Sequence, residues 1–504
     1  MEALIHLGNG FLQVLQPANL LVLFIGLVLG MLVAVLPGLT LVMGVVLALP
    51  FTYTMELLPA IILLTAMYVS GTYGGAFTAI LFRIPGEPID VPLLWDGYTM
   101  GRKGQPAKAL GWTLFAALGG GLITTTVMVL ASAPVATFAL TFSSPEYFAI
   151  IIFGLTSVVS LGGGSITNAA ISLMLGLMIA TVGVDSIYGA ERFAFGVPFL
   201  QDGIEYLLVM VGAYGLGEVF TRLEKGFAGD GTPADTDRSI STEFPTLAEM
   251  LKLKMTFLRS SLVGIIVGII PGAGATVASF VAYGVEGQYG KRGKELGTGI
   301  AEGIVAPQTA ATSSVGGAMI PLLTMGIPGS GATAIILGAF LLHGMQPGPQ
   351  VFVTSGPFVY AVFASIFLGI IGMCILGFFA IKPLVKVLEL PEAVVSAFVV
   401  LFCFIGAFAA RNNLSDLYVI TGFGILGYLF EKFSFPIAPM VLGVILGPLA
   451  ESSFMTMMVS NGNDWTVLMG RPVSATVMVM AVVALVYPIQ RQLRERTRRN
   501  GTKQ

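Results

Sequence analysis

Four proline–glycine pairs, Pro37-Gly38, Pro85-Gly86, Pro271-Gly272 and Pro328-Gly329, sit inside otherwise apolar stretches of a 504-residue chain. Proline removes a backbone donor and glycine admits dihedrals closed to other residues, so each pair should interrupt a helix. An interruption frees carbonyls that can coordinate a cation such as sodium. It also exposes a helix N-terminus that can hold an anion without a buried lysine. Hydroxyl and small residues stand beside the breaks: Thr40, Ser70, Gly71, Thr72, Gly274, Thr276, Thr312, Ser313, Ser314 and Ser330. Together these types support reversible binding of a small organic anion, with sodium or a proton as coupling ion. A packing role competes for each of them, because small residues let membrane helices approach closely and Ser or Thr can bond to its own helix.

The elements that must position these residues are membrane helices. Hydrophobic residues make up 55% of the chain and charged residues 10%, with a mean hydropathy of +0.90. Soluble domains carry roughly 25% charged residues. The net charge of -2 gives no reason to expect nucleic acid. Apolar segments fall near residues 18–50, 57–82, 110–131, 146–161, 165–184 and 204–221. A charged, turn-rich stretch at 222–256 separates them from segments near 257–285, 299–326, 331–342, 353–381, 392–409, 415–430, 435–450 and 473–489. The opening residues lack the basic cluster of a cleavable signal, so the first apolar segment is expected to stay.

An internal repeat is visible. GMLVAVLPGLT (30–40) matches GIIVGIIPGAG (264–274), and SGTYGG before Ile84-Pro85-Gly86 matches TSSVGG before Ile327-Pro328-Gly329. Ser144-Pro145-Glu146 against Leu390-Pro391-Glu392 continues the register. Basic residues favour short cytoplasmic loops, and their bias runs oppositely in the two halves. Residues 1–19 hold no Lys or Arg while 222–259 hold six, whereas 87–108 hold three and 343–350 none.

The expected fold is therefore an all-α integral membrane protein of two inverted repeats, each with a re-entrant hairpin and a broken transmembrane helix. It has about 11 crossings plus 2 hairpins, with the N-terminus outside and the C-terminus in the cytoplasm. Residues 18–221 form the first repeat, 222–256 a cytoplasmic loop, 257–470 the second repeat, 473–489 an extra helix and 490–504 a basic cytoplasmic tail, all in one membrane domain.

Other chemistry finds little support. Cys374 and Cys403 lack metal or redox spacing, and His6 and His343 stand alone, so no metal site beyond sodium is expected. There is no GxxxxGK[ST] motif for nucleotide use and no catalytic constellation, so the chain reads as a non-enzyme. Glu302 and Gln308 lie near the start of the segment leading into TSSVGG, where a carboxylate can relay protons, bind a cation or simply end a helix. Asp96-Gly97-Tyr98 falls in a cytoplasmic loop, where a turn is the plain explanation and gating the alternative.

The most specific runs are GMLVAVLPGLT, RIPGEPIDVPLLWDGYTMGRKGQPAKALG, GIIVGIIPGAGAT and GIVAPQTAATSSVGGAMIPLLTMGIPGSGATA followed by GMQPGP. Through them the chain resembles, over nearly its whole length, the large membrane subunit of the bacterial tripartite tricarboxylate transporters. The resemblance implies a cation-coupled importer of organic carboxylates in the bacterial inner membrane. It also implies two partners, a small four-helix membrane subunit and a periplasmic solute-binding protein that delivers substrate. The match falls on Pro37, Gly38, Pro85, Gly86, Asp96, Gly97, Pro271, Gly272, Pro328 and Gly329. One departure stands out: the family pattern has Pro-Glu and then paired asparagines, where this chain has Pro307-Gln308 and then Thr312-Ser313-Ser314. The hairpins and broken helices are also similar to those of elevator-type carboxylate transporters, in which a mobile domain carries substrate past a fixed scaffold.

Overall fold

The computed structural model describes residues 2–36, 39–161, 165–185, 189–226, 242–380, 383–384, 387 and 391–501. The described chain is helical apart from one two-stranded antiparallel hairpin. Helices α1 (Glu2–Val14), α2 (Pro17–Val35) and α3 (Leu41–Thr52) lead to α4 (Leu57–Gly74) and α5 (Ala76–Phe82), which run on through Gly75. Next come α6 (Leu93–Arg102), the long α7 (Pro106–Ala139), α8 (Ser144–Leu161) and α9 (Ile166–Ala180). The hairpin strands β1 (Gly183–Val184) and β2 (Glu191–Arg192) precede α10 (Pro198–Gln201). α11 (Tyr206–Met210) and α12 (Gly217–Lys225) are continuous through a π-helical segment at Val211–Leu216. The short α13 (Leu247–Lys252) then opens a run of α14 (Lys254–Ile269), α15 (Gly274–Tyr289), α16 (Glu302–Met325), α17 (Gly331–Leu342), α18 (Pro349–Thr354) and α19 (Gly356–Phe379). The chain closes with α20 (Glu392–Arg411), α21 (Ser415–Lys432), α22 (Ile437–Ser460), α23 (Val467–Gly470) and α24 (Pro472–Gly501).

Six of these segments are long and apolar enough to cross a membrane: 17–35, 57–82, 106–139, 206–225, 356–379 and 437–460. Six shorter apolar helices accompany them. Helices satisfy their own backbone groups, which is what hydrocarbon demands of any segment within it. Composition and helix length agree, and the molecule is an all-α multi-pass membrane protein. Two elements were not read from the sequence. The N-terminal residues form α1, which packs on α19, and α24 carries its helix on through residues 490–501 of the basic tail.

Contacts divide the chain into two compact units, residues 1–136 with 225–402 and residues 137–224 with 403–504. The second unit is held by close helix crossings at glycines. Gly176 of α9 lies against Met440 O of α22, and Gly427 of α21 against Ala213 O. Salt bridges tie its loops: Arg471 to the buried Glu146 at 2.7 Å, and Arg192 to Glu451 at 2.6 Å.

In the first unit, α2 packs on α4 and α14 on α16. The two packings use corresponding residues. A Cβ on Gly30 would fall 2.4 Å from Met67 O beside Ser70, and one on Gly264 2.3 Å from Ala310 O beside Ser313. Gly74 meets Met31 and Ala34 as Gly317 meets Ile265 and Gly268. Gly86 meets Ala34 O and Gly75 as Gly329 meets Gly268 O and Ala318. In every case the α2 residue lies 234 positions before its α14 counterpart, and the α4-to-break residue 243 positions before its own. Only glycine permits backbones this near, and that closeness is how helices without a hydrophobic driving force hold together.

Candidate functional site

Three of the four sequence breaks fall within the described residues. Pro37 and Gly38 lie outside them, although the elements on either side are clear. α2 ends at Val35 and α3 starts at Leu41, with Thr40 as its N-cap, its hydroxyl accepting from Met43 N at 3.2 Å. In the second half, Gly272 and Gly274 adopt φ of 82° and 62°, the left-handed region that glycine enters without strain, and α15 starts there. α5 ends on Arg83 with φ 61° before Pro85-Gly86, and α16 ends on Gly326 with φ 73° before Pro328-Gly329.

The breaks converge. Gly272 N donates to Gly329 O at 3.1 Å, joining the two Pro-Gly units of the second half. Ser330 caps α17, accepting from Thr333 N at 3.3 Å, and its hydroxyl lies 3.1 Å from the phenol of the buried Tyr68 on α4. A Cβ on Gly331 would fall 3.2 Å from Val42 in the first turn of α3, and one on Gly274 would fall 3.6 Å from Ser330. A Cβ on Gly71 would fall 2.1 Å from Leu41. The N-terminal turns of α3, α15 and α17 therefore meet around Ser330. Their dipoles make that point favourable for negative charge.

The hydroxyls are used in several ways. Ser70, Thr72 and Ser314 donate to carbonyls of their own helices, Ala66 O, Val69 O and Ala311 O, at 2.7 to 3.0 Å. Ser313 donates to Gly120 O of α7 at 3.0 Å, and Thr124 of α7 donates back to Ser313 O at 2.7 Å. Thr312 accepts from Gln308 at 3.3 Å. Thr40 and Ser330 are caps, and Thr276 is half-buried in the first turn of α15. Ser330 is the sequence-selected hydroxyl that bonds from one half of the first unit to the other near the helix ends.

One sequence expectation changes. Asp96-Gly97-Tyr98 is not a turn but part of α6, and the buried Asp96 carboxylate gathers four donors. Oδ2 accepts from Tyr283 at 2.8 Å and Gly297 N at 2.8 Å, while Oδ1 accepts from Gly299 N at 2.7 Å and Ile300 N at 2.9 Å. The loop entering α16 is thereby fastened to α6, a long-range pairing that local sequence cannot announce. Glu302 is the first residue of α16, buried and 3.5 Å from Arg292, a helix-end position that was one of the readings open to it.

Sequence reasoning missed Glu87, Asp90 and Tyr68. Glu87 and Asp90 directly follow Pro85-Gly86, and the offset of 243 that relates the breaks maps them onto Ser330 and Thr333. That register was the available signal.

Comparison with known proteins agrees with this architecture. Residues 20–442 match the tripartite tricarboxylate transporter TctA family, and the chain belongs to it. This is a transporter family, not an enzyme family. An Agrobacterium vitis protein described as an uncharacterized 52.8 kDa protein in the TAR-I ttuC' 3' region is 33% identical over 501 residues, 98% of both chains. A second from the same organism, in the TAR-II ttuC' 3' region, is 34% identical over 233 residues, 46% of this chain and 96% of that one. No solved structure matches.

Proposed function

We propose that this chain is the large permease subunit of a solute-binding-protein-dependent secondary transporter importing a small organic acid of the tricarboxylate or dicarboxylate class. Import is coupled to a sodium or proton gradient across the bacterial inner membrane. One observation carries the reading: three helix N-termini, of α3, α15 and α17, converge on Ser330 beside paired backbone breaks. Such a constellation binds carboxylates through backbone amides and dipoles, needs no buried lysine, and has to be shielded from lipid.

Matching glycine contacts at fixed offsets support a duplicated origin for the two halves, and the opposed distribution of basic residues supports their inversion, with the N-terminus periplasmic and the C-terminus cytoplasmic. A hairpin and a broken helix from each half suit an elevator-type movement. Family membership supports two partners, a small four-helix membrane subunit and a periplasmic binding protein.

The test is uptake of radiolabelled citrate, as a representative tricarboxylate, into liposomes holding the purified protein with its co-purifying subunits. Citrate should accumulate above its external concentration under an imposed sodium or pH gradient and exchange by counterflow. Uptake that only equilibrates under both gradients would identify a channel or passive facilitator instead. Cysteine cross-links that immobilise the α2–α3 hairpin should stop uptake, and unchanged uptake in fully cross-linked protein would sink the elevator movement.

A further inference from the structure

The two halves cap the element after their second break with different chemistry. After Pro328-Gly329, Ser330 and Thr333 bond reciprocally: Ser330 N donates to Thr333 Oγ1 at 2.8 Å and Thr333 N to Ser330 Oγ at 3.3 Å. After Pro85-Gly86, Glu87 and Asp90 form the same capping box, with Glu87 N donating to Asp90 Oδ2 at 3.0 Å. Neutral hydroxyls therefore satisfy this geometry elsewhere in the same unit, and the fold does not require two carboxylates here.

Their charge is costly where it stands. Asp90 is 1% exposed, and a Cβ on Gly75 would fall 2.0 Å from its Oδ2. Glu87 Oε1 is buried and accepts no hydrogen bond. Among the described residues, no lysine or arginine forms an ion pair with either. Among their described residues, the neighbouring elements bring no compensating cation. Tyr68 of α4 is turned to Ser330, and Ser279 of α15 donates to Ile89 O. Tyr283 and Glu286 of α15 are engaged with Asp96 and Arg259, and the Arg83 guanidinium lies over the Tyr98 ring. The backbone amide of Leu41, at the start of α3, faces the Glu87 carboxylate. Buried, uncompensated negative charge costs several kcal/mol unless a positive charge joins it.

We propose that Glu87 and Asp90 hold the coupling cation, either one proton shared by the two carboxyl groups or one sodium ion between them, and that the Ser330–Thr333 pair of the other half does not. The inference rests on the transport reading and assigns its coupling site. The cation enters from the high-concentration side, lowers the pair from two negative charges to one and leaves on the other side, with no bond changed except a carboxyl O–H if it is a proton. Without the cation, the Glu87 carboxylate sits at the positive end of α3. Neutralising it opens that end to a carboxylate of the substrate, so cation and substrate favour one another.

The decisive variant is Glu87→Ser with Asp90→Thr, which copies the cap the other half already folds with. Thermal unfolding of the purified protein is compared in NaCl and KCl at equal ionic strength, from about pH 5.5 to 8. A sodium-specific rise in wild-type Tm identifies sodium, and a pH-dependent Tm equal in both salts identifies a proton. In either case the double variant should lose the response. In liposomes, its ratio of gradient-driven citrate accumulation to counterflow should fall about tenfold or more. An unchanged ion response, or an unchanged ratio, overturns the proposal. Should the hydroxyl variant fail to fold, Glu87→Gln with Asp90→Asn is read in the same way. A wild type with no counterflow would overturn the transport reading, while its cation-dependent Tm would still decide the fate of the pair.

Discussion

The side-chain amide of Gln308 on α16 donates to the backbone carbonyl of Thr72 on α4 at 3.0 Å and to Thr312 Oγ1 at 3.3 Å. An ionised carboxylate has no proton to give to a carbonyl. Glutamine at this position, where the related pattern has glutamate, is thus matched to its partner in the other half. Gln308→Glu should destabilise the protein near neutral pH by about 1–3 kcal/mol, because a buried carboxylate would then face a carbonyl oxygen. Once protonated, the introduced carboxyl group can donate again, so the loss should shrink as pH falls. Thermal unfolding of the Gln308→Glu variant across pH, relative to wild type, checks this. A deficit that grows on acidification would contradict it.

The glycines at the second breaks carry a steric prediction. Gly86→Ala places a methyl 2.2 Å from Ala34 O, and Gly329→Ala places one 2.4 Å from Gly268 O. Backbone cannot yield as a flexible side chain can, so each should cost about 1–3 kcal/mol or more. Gly284→Ala in α15, with no atom within 4 Å of the added carbon, should be neutral or slightly stabilising through helix propensity. Thermal shift of the three variants in one detergent separates close packing from a general intolerance of substitution.

How much of this was legible beforehand follows from the range of the interactions. Pro-Gly breaks and helix spans depend on local composition and on spacing along the chain, and the boundaries of α17 at 331 and 342 agree with the apolar segment read from sequence. The fate of the hydroxyls was not legible. Ser70 and Ser313 occupy corresponding positions, yet one bonds within its helix and the other reaches Gly120 of α7. Nothing in their immediate sequence distinguishes a side chain bonded to its own turn from one bonded to a neighbour. Asp96 was misread for the same reason, since its partners lie 187 to 204 residues away.

Asp96→Asn tests that long-range fastening. The four groups now pointing at the carboxylate are all donors, from Tyr283, Gly297, Gly299 and Ile300. An asparagine keeps one acceptor oxygen and turns an NH2 group toward donors. Hydrogen bonds to charged groups contribute about 1.5–3 kcal/mol each, and an orphaned buried donor costs a similar amount, so a loss of about 3 kcal/mol is expected. Hydrogen exchange should quicken first at residues 297–300, before α16 itself. Uniform quickening across the unit would mean that Asp96 supports global stability and not this loop.

The last prediction concerns the loop before α14, which lies outside the membrane spans. Lys108, in the first turn of α7, pairs with Glu249, whose carboxylate also accepts from Thr246 N and Oγ1. The Lys108 ammonium, then the Thr246 backbone and hydroxyl donors, hold the Glu249 carboxyl down at about 2, against an ordinary value of 4.5. A carboxyl depressed on folding contributes stability that is complete above its unfolded value and fades as pH falls through its folded one. Local protection of residues 246–253 against hydrogen exchange, corrected for the intrinsic pH dependence, should therefore hold down to about pH 4.5 and be lost toward pH 2. The Glu249→Gln variant should show weaker protection near neutral pH and no such acid transition. Because both partners are only half-buried, with side chains 32% and 31% exposed, salt near 1 M should erode much of the wild-type advantage, the Debye length there being about 3 Å. Protection that ignores both acid and salt would assign the loop's order to the Thr246 cap alone and leave the ion pair without a role.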